Sequence, residues 1–139
     1  MLIVAALASA TAAPAVEANW QVLGTTHNSV AFLDRRSMTG PGSQVVRVIR
    51  VSGQPQKDRW RSSDQHIRVD CAAGVMGDEG STIEGADGKK VSYGPTPARQ
   101  PKPSRGIFLQ LFNAVCDGKD GPLVSDPHSW TAANFKVGM

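Results

Sequence analysis

His66-Ile67-Arg68-Val69-Asp70-Cys71 is the stretch that decides how this chain folds. Apolar Ile67, Val69 and Cys71 alternate with polar His66, Arg68 and Asp70, the period-two pattern of a strand with one buried and one wet face. Cys71 therefore falls on the core side, and His66 on the outer side. Upstream, Gln44-Val45-Val46-Arg47-Val48-Ile49-Arg50-Val51 is rich in β-branched residues but carries arginines three apart. Its alternation is imperfect, so a bulge is expected at one edge. Two earlier strands are expected at Asn19-Trp20-Gln21-Val22-Leu23 and Val30-Ala31-Phe32-Leu33-Asp34. The polar turn 24–28 separates them, and Gly40-Pro41-Gly42 breaks the chain after Arg35-Arg36. Residues 53–64, polar and holding Pro55, Trp60 and Arg61, read as a long connection or an edge strand.

Downstream, residues 81–84 and 90–93 flank Gly85-Ala86-Asp87-Gly88-Lys89, whose Asp-Gly pair suits a tight hairpin turn with positive φ. Residues 94–103 hold four prolines, which remove donors and restrict their neighbours, so an extended loop is expected there. A helix follows: Ser104 is placed to cap it, and Ile107, Phe108, Leu111, Phe112 and Val115 recur at helical spacing, forming one apolar stripe. The expected fold is α+β, a small antiparallel sheet of about six strands with a C-terminal helix packed on it. With 139 residues, 40% hydrophobic and 19% charged, the chain suits one globular core and not a disordered polymer.

The opening Met1-Leu2-Ile3-Val4-Ala5-Ala6-Leu7-Ala8 and the small residues after it read as a signal-peptide core, too short to span a bilayer. No Lys or Arg precedes it, so the basic n-region is missing and a start further upstream is expected; a buried N-terminal helix is the alternative. The organisation expected is a leader over 1–18, a domain over 19–117 and a tail over 118–139 that docks loosely or stays unfolded. No transmembrane segment is expected in the mature chain, and no cysteine follows the leader to carry a lipid anchor. The two cysteines, Cys71 and Cys116, are an even pair in a chain that reads as exported, and an oxidising compartment makes them a disulfide. Their spacing fits neither a C-x-x-C redox pair nor a zinc site. Joining Cys116 to Cys71 ties the end of the helix onto a strand.

The order of features resembles the surface-adhesin protein E family: a Trp opening the first strand, a strand ending in Asp34, a Val-rich strand, then Val69-Asp70-Cys71, a Gly-containing hairpin and a helix ending in Val115-Cys116. The likeness covers about 20–116. It implies an antiparallel sheet with a C-terminal helix held by a disulfide, and its founding members sit on the outer surface of pathogens and bind host matrix proteins and plasminogen. This chain departs from the founding type in lacking the anchoring cysteine and in the residues after Cys116.

Catalytic, metal and cofactor signatures are missing. His27, His66 and His128 have no motif spacing, and the chain holds no H-E-x-x-H, G-x-S-x-G, Walker or dinucleotide fingerprint. The expectation is a non-enzyme without cofactor, metal or specific nucleic-acid site. The net charge of +3 conceals a pattern. Arg35, Arg36, Arg47, Arg50, Lys57, Arg59, Arg61 and Arg68 form one basic stretch, and Lys89, Lys90, Arg99, Lys102 and Arg105 a second. Asp70, Asp78, Glu79, Glu84 and Asp87 lie between them. Basic side chains sharing a face would attract anionic lipid head groups, lipopolysaccharide, heparin-like glycans or acidic proteins. Arginines alternating with apolar residues are equally what a half-buried strand shows. The candidate binding residues are Arg59, Trp60 and Arg61. The function expected is an exported envelope or surface protein, periplasmic or released, that binds a host or envelope macromolecule, protein or polyanion. A periplasmic inhibitor or envelope-stress protein using the proline-rich loop 95–103 is the alternative.

Overall fold

The computed structural model describes residues 18–40 and 42–136. The leader expected over 1–18 lies outside them except for Ala18, as does Pro41. The elements are β1 (Trp20–Thr25), β2 (Ser29–Asp34), β3 (Ser43–Ser52), α1 (Pro55–Asp58), β4 (Trp60–Asp70), β5 (Val75–Gly85), β6 (Lys90–Tyr93), β7 (Arg99–Pro101), α2 (Ile107–Cys116), β8 (Leu123–Val124) and α3 (Pro127–Asn134). All pairings are antiparallel in one eight-stranded sheet ordered β6-β5-β4-β3-β2-β1-β8, with β7 pairing the start of β5.

Strand parity divides the core in two. On one face Leu33, Val46, Val48, Ile67, Val69 and Met76 meet Leu111, Phe112, Ala114 and Val115 of α2, the helical stripe expected from spacing. On the other, Val30, Phe32 and Val51 are covered by Trp130 of α3 and by Phe135, which lies so close over Gly53 that a Cβ there would collide with its ring. β2 is buried along its whole length because both faces are covered. Cys71 and Cys116 are bonded, with Cα atoms 5.5 Å apart, joining the end of α2 to the turn after β4. Among the described residues no helix is long and apolar enough to cross a membrane.

Several expectations are corrected. Among the described residues there are eight strands, not about six. Residues 53–59 are a connection, with Pro55 starting the single turn α1 and Arg59 taking φ 63°, but Trp60 begins an internal strand between β3 and β5 and not an edge. β3 pairs both neighbours without a register shift; the irregularities lie in β1 and in the β4–β5 ladder. Arginines three apart on a regular strand face opposite ways, so Arg47 points to the α3 side and Arg50 to the α2 side. The proline-rich loop contributes the three paired residues of β7. Ser104 does not cap α2, whose N-cap is Gly106 without a side-chain bond. The stretch expected as a loose tail builds β8 and α3, as far as it is described, and packs on the sheet.

α3 begins at Asp126, whose carboxylate accepts from the backbone N–H groups of His128 and Ser129 and from the Ser129 hydroxyl. Those bonds hold its pKa below the usual range. Burial, and then the charge of Arg61, push the His128 pKa down, while Asp126 and Glu84 pull it the other way. A histidine with a depressed folded pKa favours the docked state fully above its unfolded pKa of about 6.5 and loses that contribution as pH falls through the folded value. Amide exchange in α3, corrected for intrinsic rate, is therefore expected to speed up between pH 7.5 and 5, and not to do so in His128→Gln. Wild-type exchange that does not change with pH would sink this.

Candidate binding surface

The basic residues of β3 and β4 are largely neutralised within the fold. Arg47 lies between Asp34 and Asp64, at 3.6 and 2.7 Å, and its guanidinium stands 5.2 Å from the Trp20 ring centroid. Its hydrogen bond to Asp64 raises its pKa further. Arg36 pairs with Asp34, Arg35 with Asp120, Arg68 with Glu79 and Arg61 with Glu84. Arg50 is half-buried on the α2 face and reaches the Ser29 hydroxyl at 3.4 Å; burial lowers its pKa.

Arg59, Trp60 and Arg61 do not converge. Arg59 lines a hollow with Gln56, Ala86 and Asp87, and Arg61 lines a different one with His128 and Thr131; Trp60 lines neither. The sequence places these three together, but the left-handed turn at Arg59 and the register shift after Trp60 part them. The histidines are equally dispersed, in the β1–β2 turn, on the open face of β4 and on α3. Among the described residues no group of three His, Cys, Asp or Glu is arranged to hold a metal.

The second basic stretch behaves differently. Gly88 takes φ 84° and the Asp87 carboxylate accepts from the Lys89 N–H, closing the expected hairpin into β6. From Asp87 to Lys102 every residue is exposed, yet the segment is tied down. The Thr96 N–H donates to the Asp78 carbonyl, the Lys102 N–H donates to the Gly74 carbonyl, and β7 pairs with residues 75–77. The Arg99 guanidinium lies over Gly77, where a Cβ would strike it, and reaches Glu79 at 3.6 Å. Four prolines further restrict the path. Lys89, Lys90, Lys102 and Arg105 have no carboxylate within ion-pair distance among the described residues. The acidic block between the two basic stretches is occupied locally: Asp70 and Asp78 accept backbone N–H groups, and Glu79 and Glu84 hold arginines.

No family model, curated protein or solved structure matches this chain.

Under the arm, Gln65, Ile67, Met76, Asp78 and Phe108 line a hollow of about 250 Å³ that Thr96 and Gln100 help to close. Gln65 Oε1 is buried there without a hydrogen-bond partner. Beside it, Ile83, Val91 and Tyr93 are large apolar side chains left exposed. The arm therefore combines fixed backbone, unneutralised cations and apolar contact area, which is what binding requires; its composition was legible in the sequence, but its anchoring was not.

Proposed function

We propose that this is an exported, non-catalytic binding module of the surface-adhesin protein E type, which holds an acidic host or envelope partner on the arm formed by β6, the proline-rich loop and β7. The observation that carries this reading is a pinned, exposed segment with cations at both ends, Lys89 and Lys90 at the hairpin and Lys102 and Arg105 at and after the end of β7, none of which has an ion-pair partner among the described residues. Holding the segment in place before contact lowers the entropy lost on binding, and unneutralised surface cations speed encounter with an anion. The resemblance over 20–116 and the Cys71–Cys116 disulfide support export.

Lys89→Glu, Lys90→Glu, Lys102→Glu and Arg105→Glu combined are expected to weaken retention on immobilised heparin, used as the polyanion probe, more than tenfold at low salt. Binding of the wild-type protein should fall steeply as salt is raised. Retention equal to the wild type in the fourfold variant would refute the role of the arm. The periplasmic inhibitor is the second reading, favoured by the bonds that fix the loop at Thr96 and Lys102. Saturable one-to-one inhibition of an envelope hydrolase, abolished by changes in 95–103, would select it.

A further inference from the structure

Among the described residues, β6 ends the sheet with its outer side open. The Gly85 N–H donates to the Lys89 carbonyl at 2.8 Å, so 85 and 89 are a hydrogen-bonded pair. Bonded and non-bonded pairs alternate along an antiparallel ladder. Counting along the register, Val91 and Tyr93 bond inward to Ile83 and Ser81, whereas Lys90 and Ser92, opposite Glu84 and Thr82, turn their N–H and C=O groups outward. The 2.9 Å contact between the Thr82 and Ser92 hydroxyls fits the closer side chains of a non-bonded pair.

The two faces of this edge differ in chemistry. Cross-strand rows keep Val91 beside Ile83 and Tyr93 beside Ser81 and Gln65 on the α2 side; Lys90 and Ser92 lie on the α3 side. Val91 and Tyr93 are 53% and 55% exposed, an apolar pair that no part of the described chain covers.

We infer that β6 takes its partner by strand addition: an extended segment of another protein, with acidic and apolar side chains alternating, pairs with the outward groups of Lys90 and Ser92. This rests on the binding role proposed for the arm. The apolar side chains of the added strand lie beside Val91 and Tyr93, and its carboxylates beside Lys90. Lysines on an edge strand ordinarily deter pairing. Here they deter a second copy of this chain, which would bring Lys89 and Lys90 of both copies into one short ladder. They favour an acidic strand instead.

The probe is a fluorescein-labelled, end-capped octapeptide of alternating Glu and Val, read by fluorescence polarisation. A second peptide of the same sequence is N-methylated at alternate residues, so that one edge cannot donate. Ser92→Pro removes an outward N–H and leaves the β5 ladder intact, since proline is tolerated on an edge whose N–H faces solvent. Ser92→Ala keeps the N–H. The expected result is binding by the wild-type protein and Ser92→Ala, a loss of at least tenfold in Ser92→Pro, and a similar loss for the methylated peptide on the wild-type protein. The methylated peptide also serves as the test should Ser92→Pro fail to fold. If the fourfold charge variant loses the plain peptide while the methylated peptide binds the wild-type protein as well as the plain one, strand addition is overturned and the arm's electrostatic role survives. Heparin retention without peptide binding overturns it in favour of a polyanion. Binding of neither probe removes both readings.

Discussion

Replacing Cys71 and Cys116 together by serine is expected to lower the unfolding free energy by about 4 kcal/mol, the loop-closure contribution of a cross-link spanning about 45 residues. The bridge joins the turn after β4 to the last residue of α2. Without it, α2 is held by Leu111, Phe112, Ala114 and Val115 against the sheet, so the protein still folds, but with much of a typical margin of roughly 5–15 kcal/mol removed. Urea unfolding followed by circular dichroism measures this as a lower midpoint. A shift equivalent to under about 1 kcal/mol would mean that the unfolded chain already brings these positions together, contrary to the loop-closure argument.

Phe32→Ala is expected to cost about 3–5 kcal/mol, as for other buried aromatic truncations. Phe32 is fully buried at the centre of β2, and its ring meets Trp130 edge to face, with centroids 5.8 Å apart. The cavity would open beneath α3 and could close only if that helix moved. A double-mutant cycle with Trp130→Ala is expected to give a coupling of about 1 kcal/mol, the usual worth of an aromatic pair. No coupling, together with a negligible effect of Trp130→Ala alone, would show that α3 does not dock on this face in solution.

Trp130 and Phe135 mark a limit of local reading. α3 has no clear apolar stripe, and its residues Pro127-His128-Ser129-Trp130 carry little helical periodicity, so the segment reads as a tail. It is ordered by a surface already present: Val30, Phe32 and Val51 form an apolar face that needs cover, and Gly53 leaves the space that Phe135 fills. α2 is the opposite case. Its stripe is dense enough that spacing alone places both the helix and its buried side.

The candidate site divides in the same way. The basic residues of 35–68 and 89–105 look alike as composition, but Arg47, Arg61 and Arg68 of the first group meet Asp34, Asp64, Glu84 and Glu79 across paired strands. Register is a long-range quantity, set by which strands become neighbours, and local pattern carries no record of it. Arg59 and Arg61, two apart in sequence, line different hollows, since adjacency in sequence is not convergence in space.

The sequence by itself determined the α+β class, the strands around Val30, Val46 and Val69, the Asp87-Gly88 hairpin and the α2 stripe, because each follows from periodicity or turn chemistry acting over a few residues, and it determined the joining of Cys71 to Cys116 because the chain has two cysteines and no more. Only the tertiary structure decided that Trp60 opens an internal strand, that Trp130 and Phe135 close the second core, and that Lys89 and Lys90 stand, among the described residues, without an ion-pair partner beside an open edge. Those outcomes depend on pairings between residues tens of positions apart, whose energies arise only once the sheet has assembled.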